Sequence, residues 1–197
     1  MKQMNKLLGI SLLLIVIMNL GRTFIPVIQQ EINYNVTRVD TFTKSTLKST
    51  TPVDMDFGII IDKIGANAHV IKNVNPYDEN VYQKALVGGI SHVDGSAIPG
   101  QKGNIFLFSH SSENLFKASK YNSVFYLLSK LEKGDEIRLY YENNTYVYLV
   151  QEKKIVPRST VEFISDNTTE ESLTLMTTWP PGTSVMRVLI LATRQQS

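Results

Sequence analysis

Cysteine is absent from the 197 residues, and that absence removes disulfide crosslinks, thiolate metal sites and thiol nucleophiles together. Histidine is nearly as scarce, with three copies at His69, His92 and His110. No cluster of histidine and carboxylate has metal-ligand spacing, so neither a metal nor a cofactor is indicated. An excess of one charge is also lacking: 20 basic against 18 acidic residues, mixed along the chain, leave a net charge of +2. Such a balance gives no electrostatic case for a nucleic-acid partner. The apolar content, 43%, is ordinary for one packed core, and one globular domain with an appendage is expected.

The appendage is N-terminal. Leu7 to Leu20 is a strongly apolar run, preceded by Lys2 and Lys6 and followed by Gly21 and Arg22. A spanning helix needs about 20 residues, and Met4 with Phe24 to Ile28 extends the embedded length toward that figure. The numbers suit a signal peptide and a signal anchor equally. No small-residue cleavage site follows, and the flanking lysines favour a cytoplasmic N-terminus. Residues 1–28 therefore read as an uncleaved anchor, which places the protein at the cell membrane, single-pass, with its remainder extracytoplasmic. Residues 29–56, rich in Thr, Asn and Ser without a sustained apolar period, read as a polar stalk.

The globular part, 57–197, is expected to be mainly β. Phe57 to Ile71 offers two short strands around a Gly65-Ala66-Asn67 turn, and Asn75-Pro76 marks another turn. Asp78 is placed to cap a short helix running through Leu86, stopped by Gly88. Tyr121 to Leu131 repeats apolar residues at helical spacing, with Ser123 as cap and Lys133-Gly134-Asp135 as stop. Ile137–Tyr141 and Tyr146–Val150 pair as a hairpin. Short strands with regular turn signals predict a closed or nearly closed, antiparallel-rich barrel.

Chemistry concentrates in two places. Leu173–Thr178 and Met186–Ala192 are β-rich runs joined by a loop in which Trp179, Pro180, Pro181 and Gly182 stop both helix and strand. Alternation puts Thr174, Met176 and Thr178 on one face, with Arg187 beginning the next strand near where Thr178 ends the first. In Asn104–Ser112, Phe106, Phe108 and His110 alternate onto one face, and His110 closes the apolar run. Thr174-Leu175-Met176-Thr177-Thr178, His110 and Arg187-Val188-Leu189-Ile190 together resemble the sortases, membrane-anchored bacterial cysteine transpeptidases. Their signature is a strand ending T-L-x-T-C, a histidine closing an earlier strand, and an arginine-led apolar strand soon after. The resemblance covers roughly 57–192, including Gly88-Gly89 to Gly100 with His92 read as a Gly-rich loop. Ser109 stands where a glycine is more usual, and Thr178 stands where the family carries its nucleophilic cysteine.

The resemblance implies an eight-stranded barrel with the site on its fourth, seventh and eighth strands. The short gap between Val156 and Leu173 is like that of the compact classes. It further implies His110 in proton transfer, Arg187 as oxyanion donor and residue 178 as nucleophile. The implied partners are an LPxTG-like sorting-signal peptide of a secreted protein and a cell-envelope amine acceptor. His69 and His92 read as structural. Threonine has no accessible anion, its β-methyl group crowds the attack path, and threonine enzymes use an N-terminal amine that an internal residue lacks. Three readings follow: a working transpeptidase, a membrane-tethered pseudoenzyme that binds peptide or surface-protein partners, or an active sortase whose cysteine has been exchanged for threonine.

Overall fold

The computed structural model describes Ile10, Leu13, Ile15, Met18 and residues 51–111, 124–160, 169–181 and 183–195. The chain divides into two compact units, 1–45 and 46–197. In the first, the four described positions are helical and exposed. The rest of the expected anchor, and the stalk up to Thr50, lie outside the described residues. Among the described residues no helix is long and apolar enough to cross a membrane.

The second unit is built on eight strands: β1 (Phe57–Ile61), β2 (Ala66–Val74), β3 (Ile90–Val93), β4 (Gly103–Phe108), β5 (Glu136–Tyr141), β6 (Asn144–Pro157), β7 (Glu171–Trp179) and β8 (Met186–Arg194). They close into a barrel in the order β1-β2-β3-β4-β7-β8-β6-β5. Two neighbouring pairs, β2 with β3 and β4 with β7, run parallel, and the others are antiparallel. Of the residues expected to form the site, His110 follows the end of β4, Thr178 lies on β7 and Arg187 on β8.

Local chemistry explains the connections. Between β1 and β2 the chain makes a 3₁₀ turn over Asp62–Ile64 and closes it at Gly65 with φ of 64°. The turn comes earlier than the sequence suggested, and Ala66 and Asn67 already belong to β2. The β5–β6 hairpin turns on Glu142 and Asn143, with φ of 48° and 63°, the two positive values that a tight type I′ connection requires. One helix, α1 (Glu79–Gly88), starts at Asp78, whose carboxylate accepts from the amides of Asn80 and Val81, the cap its sequence announces. Gly89 follows because a Cβ there would lie 2.4 Å from the carbonyl oxygen of His69.

The helix expected over Tyr121–Leu131 is corrected where it can be described: residues 124–127 are turns and Leu128–Lys130 is a 3₁₀ helix. Its buried anchors Phe125, Leu128 and Leu131 recur every third residue. That interval fits the three-residue turn of a 3₁₀ helix as well as it fits an α-helix.

Residues just before β1 are tied to the barrel. Asn67 accepts from the Val53 amide and donates to the Thr51 carbonyl, while Asp56 and Met55 carbonyls accept from Glu142 and Asn143 amides. Asp54 accepts from the Asp56 and Phe57 amides and pairs with His69. Partial burial would push this carboxyl up, but the His69 and amide hydrogen bonds outweigh it and hold it below the ordinary carboxylate value.

The wall around the site is apolar on both faces. Leu107, Leu175 and Ile190 pair across β4, β7 and β8 and are fully buried. Phe108, Met176 and Leu189 form the next row, facing the opposite way. There they cluster with Phe106, Val74, Val93 and Leu86 of α1. Two-sided burial is why β4 reads as a continuous apolar run instead of alternating.

Candidate active site

One step beyond the Phe108–Met176–Leu189 row, on the same face, come His110, Thr178 and Arg187. Thr178 and Arg187 are direct cross-strand partners, and His110, two residues past the end of β4, lines the same cavity. All three are half-buried and line a cavity of about 310 Å³, floored by Phe106, Phe108 and Met176 and walled by Tyr82 and Gln83 of α1. The structure thus gathers every sequence-predicted site residue into one groove. It is a groove against the outside of the barrel wall, roofed by a helix, a more enclosed place than a bare strand rim.

The end of β4 is pinned to β7 by two hydrogen bonds. The Ser109 amide donates to the Met176 carbonyl at 3.1 Å, and Thr177 Oγ1 donates to the Ser109 carbonyl at 2.9 Å. Side-chain contacts then set the chemistry. Thr178 Oγ1 shares a hydrogen bond with the hydroxyl of the fully buried Ser111. His110 Nε2 meets Gln83 Oε1 at 3.2 Å. Arg187 Nη1 donates to the carbonyls of Met186 at 3.2 Å and Ser184 at 3.5 Å, so its guanidinium stands at the mouth of the β7–β8 loop. A guanidinium stays ionised and offers five donors, enough to keep these contacts and still serve an oxygen in the groove.

Gln83 and Ser111 were not singled out in the sequence. Ser111 carried one usable signal, its adjacency to His110 at the end of an apolar strand. Gln83 carried none, since a glutamine on a short helix is unremarkable until the fold lays that helix over the groove.

His92 belongs elsewhere. It lies within β3, a four-residue strand paired on both sides, and the Gly-rich loop reading is corrected accordingly. Gly88-Gly89 and Gly95 punctuate the chain on either side of a strand short enough to look like loop. The ring is fully buried: Nδ1 accepts from the Asn73 amide at 3.3 Å and Nε2 donates to the Ala97 carbonyl at 2.9 Å. Burial pushes this imidazole below its ordinary value of 6.5, against the pull of the Ala97 hydrogen bond. The fold therefore holds the neutral ring. Its contribution to stability is present above about pH 6.5 and is lost as pH falls from there through the lowered folded-state value, at no more than about 1.4 kcal/mol per pH unit. Thermal unfolding between pH 7.5 and 5 should show that loss in the parent and a shallower one in His92→Gln. Equal slopes would remove His92 as the origin.

A closed eight-stranded barrel thus brings a histidine just past β4, a threonine of β7 and an arginine of β8 into one groove. A sortase-domain family model matches residues 59–195, well over half of the chain, and the protein belongs to the sortase family. The family is one of cysteine transpeptidases. Sortase D of Bacillus subtilis strain 168 is 28% identical over 120 residues, which are 61% of this chain and 52% of that protein. The chain thus matches about half the length of this curated relative. Among solved structures, sortase C-1 of Actinomyces oris superposes with a TM-score of 0.61 at 19% identity, covering 84% of this chain and 85% of the other. Sortase C1 of Streptococcus suis gives 0.59 at 19%, with 73% and 75% covered. Sortase A of Corynebacterium diphtheriae gives 0.59 at 20%, with 73% and 62%. At such identities these likenesses concern the fold.

Proposed function

We propose that the groove binds the LPxTG-like sorting signal of a secreted protein and, with threonine at position 178, holds the peptide without cutting it. The hydroxyl pair carries this reading: Thr178 Oγ1 is engaged with Ser111 Oγ, and His110 Nε2 is turned to Gln83. A hydroxyl nucleophile needs a general base within hydrogen-bond reach, and Ser111 is no base. A thiol would need less, because its anion is accessible near neutral pH. With a thiol at 178 the same groove would perform the family's chemistry. The sulfur attacks the scissile carbonyl, Arg187 stabilises the oxyanion, His110 moves the proton, and a cell-envelope amine takes the acyl group.

The test is binding without turnover. A fluorescent sorting-signal peptide should titrate the parent to saturation by anisotropy and be recovered intact by mass spectrometry. Failure to bind any motif of a sorting panel would defeat the peptide assignment. Cleavage by the parent that Thr178→Ala abolishes would make the hydroxyl a working nucleophile.

The same reading sets the domain outside the cell, of the compact sortase class and anchored through residues 1–28, on a stalk over 29–56 whose last residues, from Thr51, are tied to the barrel. In intact cells, external protease should release a fragment beginning after Gln29, while the full chain sediments with membranes. Protection of the domain would reverse the topology.

A further inference from the structure

His110 is held from across the groove. A carboxamide oxygen only accepts hydrogen bonds, so the 3.2 Å contact between His110 Nε2 and Gln83 Oε1 places the ring hydrogen on Nε2. In the neutral imidazole the lone pair is then on Nδ1.

Gln83 is presented by a fixed platform. Its neighbour Tyr82 packs edge-on against Phe108, with ring centroids 6.3 Å apart and planes at 74°. Leu86, three residues on, is buried in the cluster of Phe106, Phe108 and Leu189. Asp78 caps the helix start. A ten-residue helix pinned at its beginning and along its inner face sets the carboxamide in one place, which is what a supporting contact to a reacting group requires.

From this geometry we propose that Gln83 is the positioning residue of His110: it holds the Nε2–H form and the ring plane, and makes Nδ1 the nitrogen that exchanges protons during acyl transfer. The inference rests on the role given to His110 above. With cysteine at 178, the thiol proton passes to Nδ1 and the sulfur attacks the scissile carbonyl carbon. As the C–N bond breaks, Nδ1 returns that proton to the departing amine. The Nε2–H to Gln83 hydrogen bond persists throughout. It is strongest while the ring is an imidazolium, because a charged donor makes the stronger bond. Gln83 thereby favours the charged stage of the cycle without touching the substrate.

Two readouts test this separately. In the parent, long-range ¹H–¹⁵N spectra of the neutral ring should show the Nε2–H tautomer of His110. Gln83→Leu should give a mixture of tautomers, and Gln83→Glu, whose carboxylate also only accepts, should restore Nε2–H. In a Thr178→Cys background, Gln83→Leu should lower kcat by about tenfold to a hundredfold, the scale of a misplaced reacting group, with KM little changed, and Gln83→Glu should recover most of it. An Nδ1–H tautomer in the parent, or a Gln83→Leu protein with the parent's tautomer, would overturn the proposal. If Thr178→Cys cleaves no peptide, the transfer chemistry given to the groove fails while the ring spectra still decide the part played by Gln83.

Discussion

Thr178→Cys should gain activity where the parent has none: it should react with a thiol-directed reagent, form an acyl-enzyme with a suitable sorting peptide and release the C-terminal fragment. The groove already holds the cation and the imidazole that the proposed reaction uses. Arg187 is the cross-strand partner of residue 178, and His110 lines the same cavity. The exchange replaces a hydroxyl and a methyl group on one half-buried side chain, so it should leave the fold intact. His110→Ala or Arg187→Ala in the cysteine background should abolish release. Each should cost about 3 kcal/mol or more of transition-state stabilisation, the scale of removing one oxyanion donor. The measurement is peptide cleavage followed by mass spectrometry across a panel of sorting motifs. A folded cysteine variant whose thiol is no more reactive than a free cysteine, and which cuts nothing, would mean the groove has diverged beyond rescue.

Leu175→Ala should lower stability by about 2–5 kcal/mol, the range for emptying a well-packed leucine site. Leu175 is fully buried, set between Leu107 and Ile190 in the paired row. Leu189→Ala should cost a similar amount for a different reason, since it opens the cluster beneath the groove on the other face. Urea unfolding of the three proteins measures both, and Thr178→Cys serves as a control that should stay within about 1 kcal/mol of the parent. Parent-like stability of Leu175→Ala would mean that the strand faces are assigned the wrong way round.

The elements that could be read from the chain were those whose signals are local. Asp78 announces a helix start because its cap needs only the next three residues, and the hairpin is legible because its two strands are adjacent, though the structure tightens the expected Glu142 to Thr145 connection to Glu142 and Asn143. The face shared by Phe106, Phe108 and His110, and the one shared by Met176 and Thr178, followed from a period of two. What escaped depended on neighbours distant in sequence. β6 runs on to Pro157 through the polar stretch Gln151–Lys154 because β8 supplies its hydrogen bonds from Leu191 back to Met186, a partnership that no pattern inside β6 reveals. Gln83 and Ser111 entered the site for the same reason: each acquires its role from a side chain that another strand delivers.

The parallel pairing of β4 with β7 also says when the site comes into being. The Thr177–Ser109 and Thr178–Ser111 bonds join residues 68 and 67 positions apart, and a chain must close a loop of that length before such contacts return any energy. Among the described residues no hairpin holds two members of the His110–Thr178–Arg187 set except β7–β8, and that one lacks His110. A chain still emerging from synthesis, or one clipped between β4 and β7, would carry fragments of sheet and no groove. Barrel closure and the making of the groove are thus one event, so any binding there waits until the chain has brought its distant strands together.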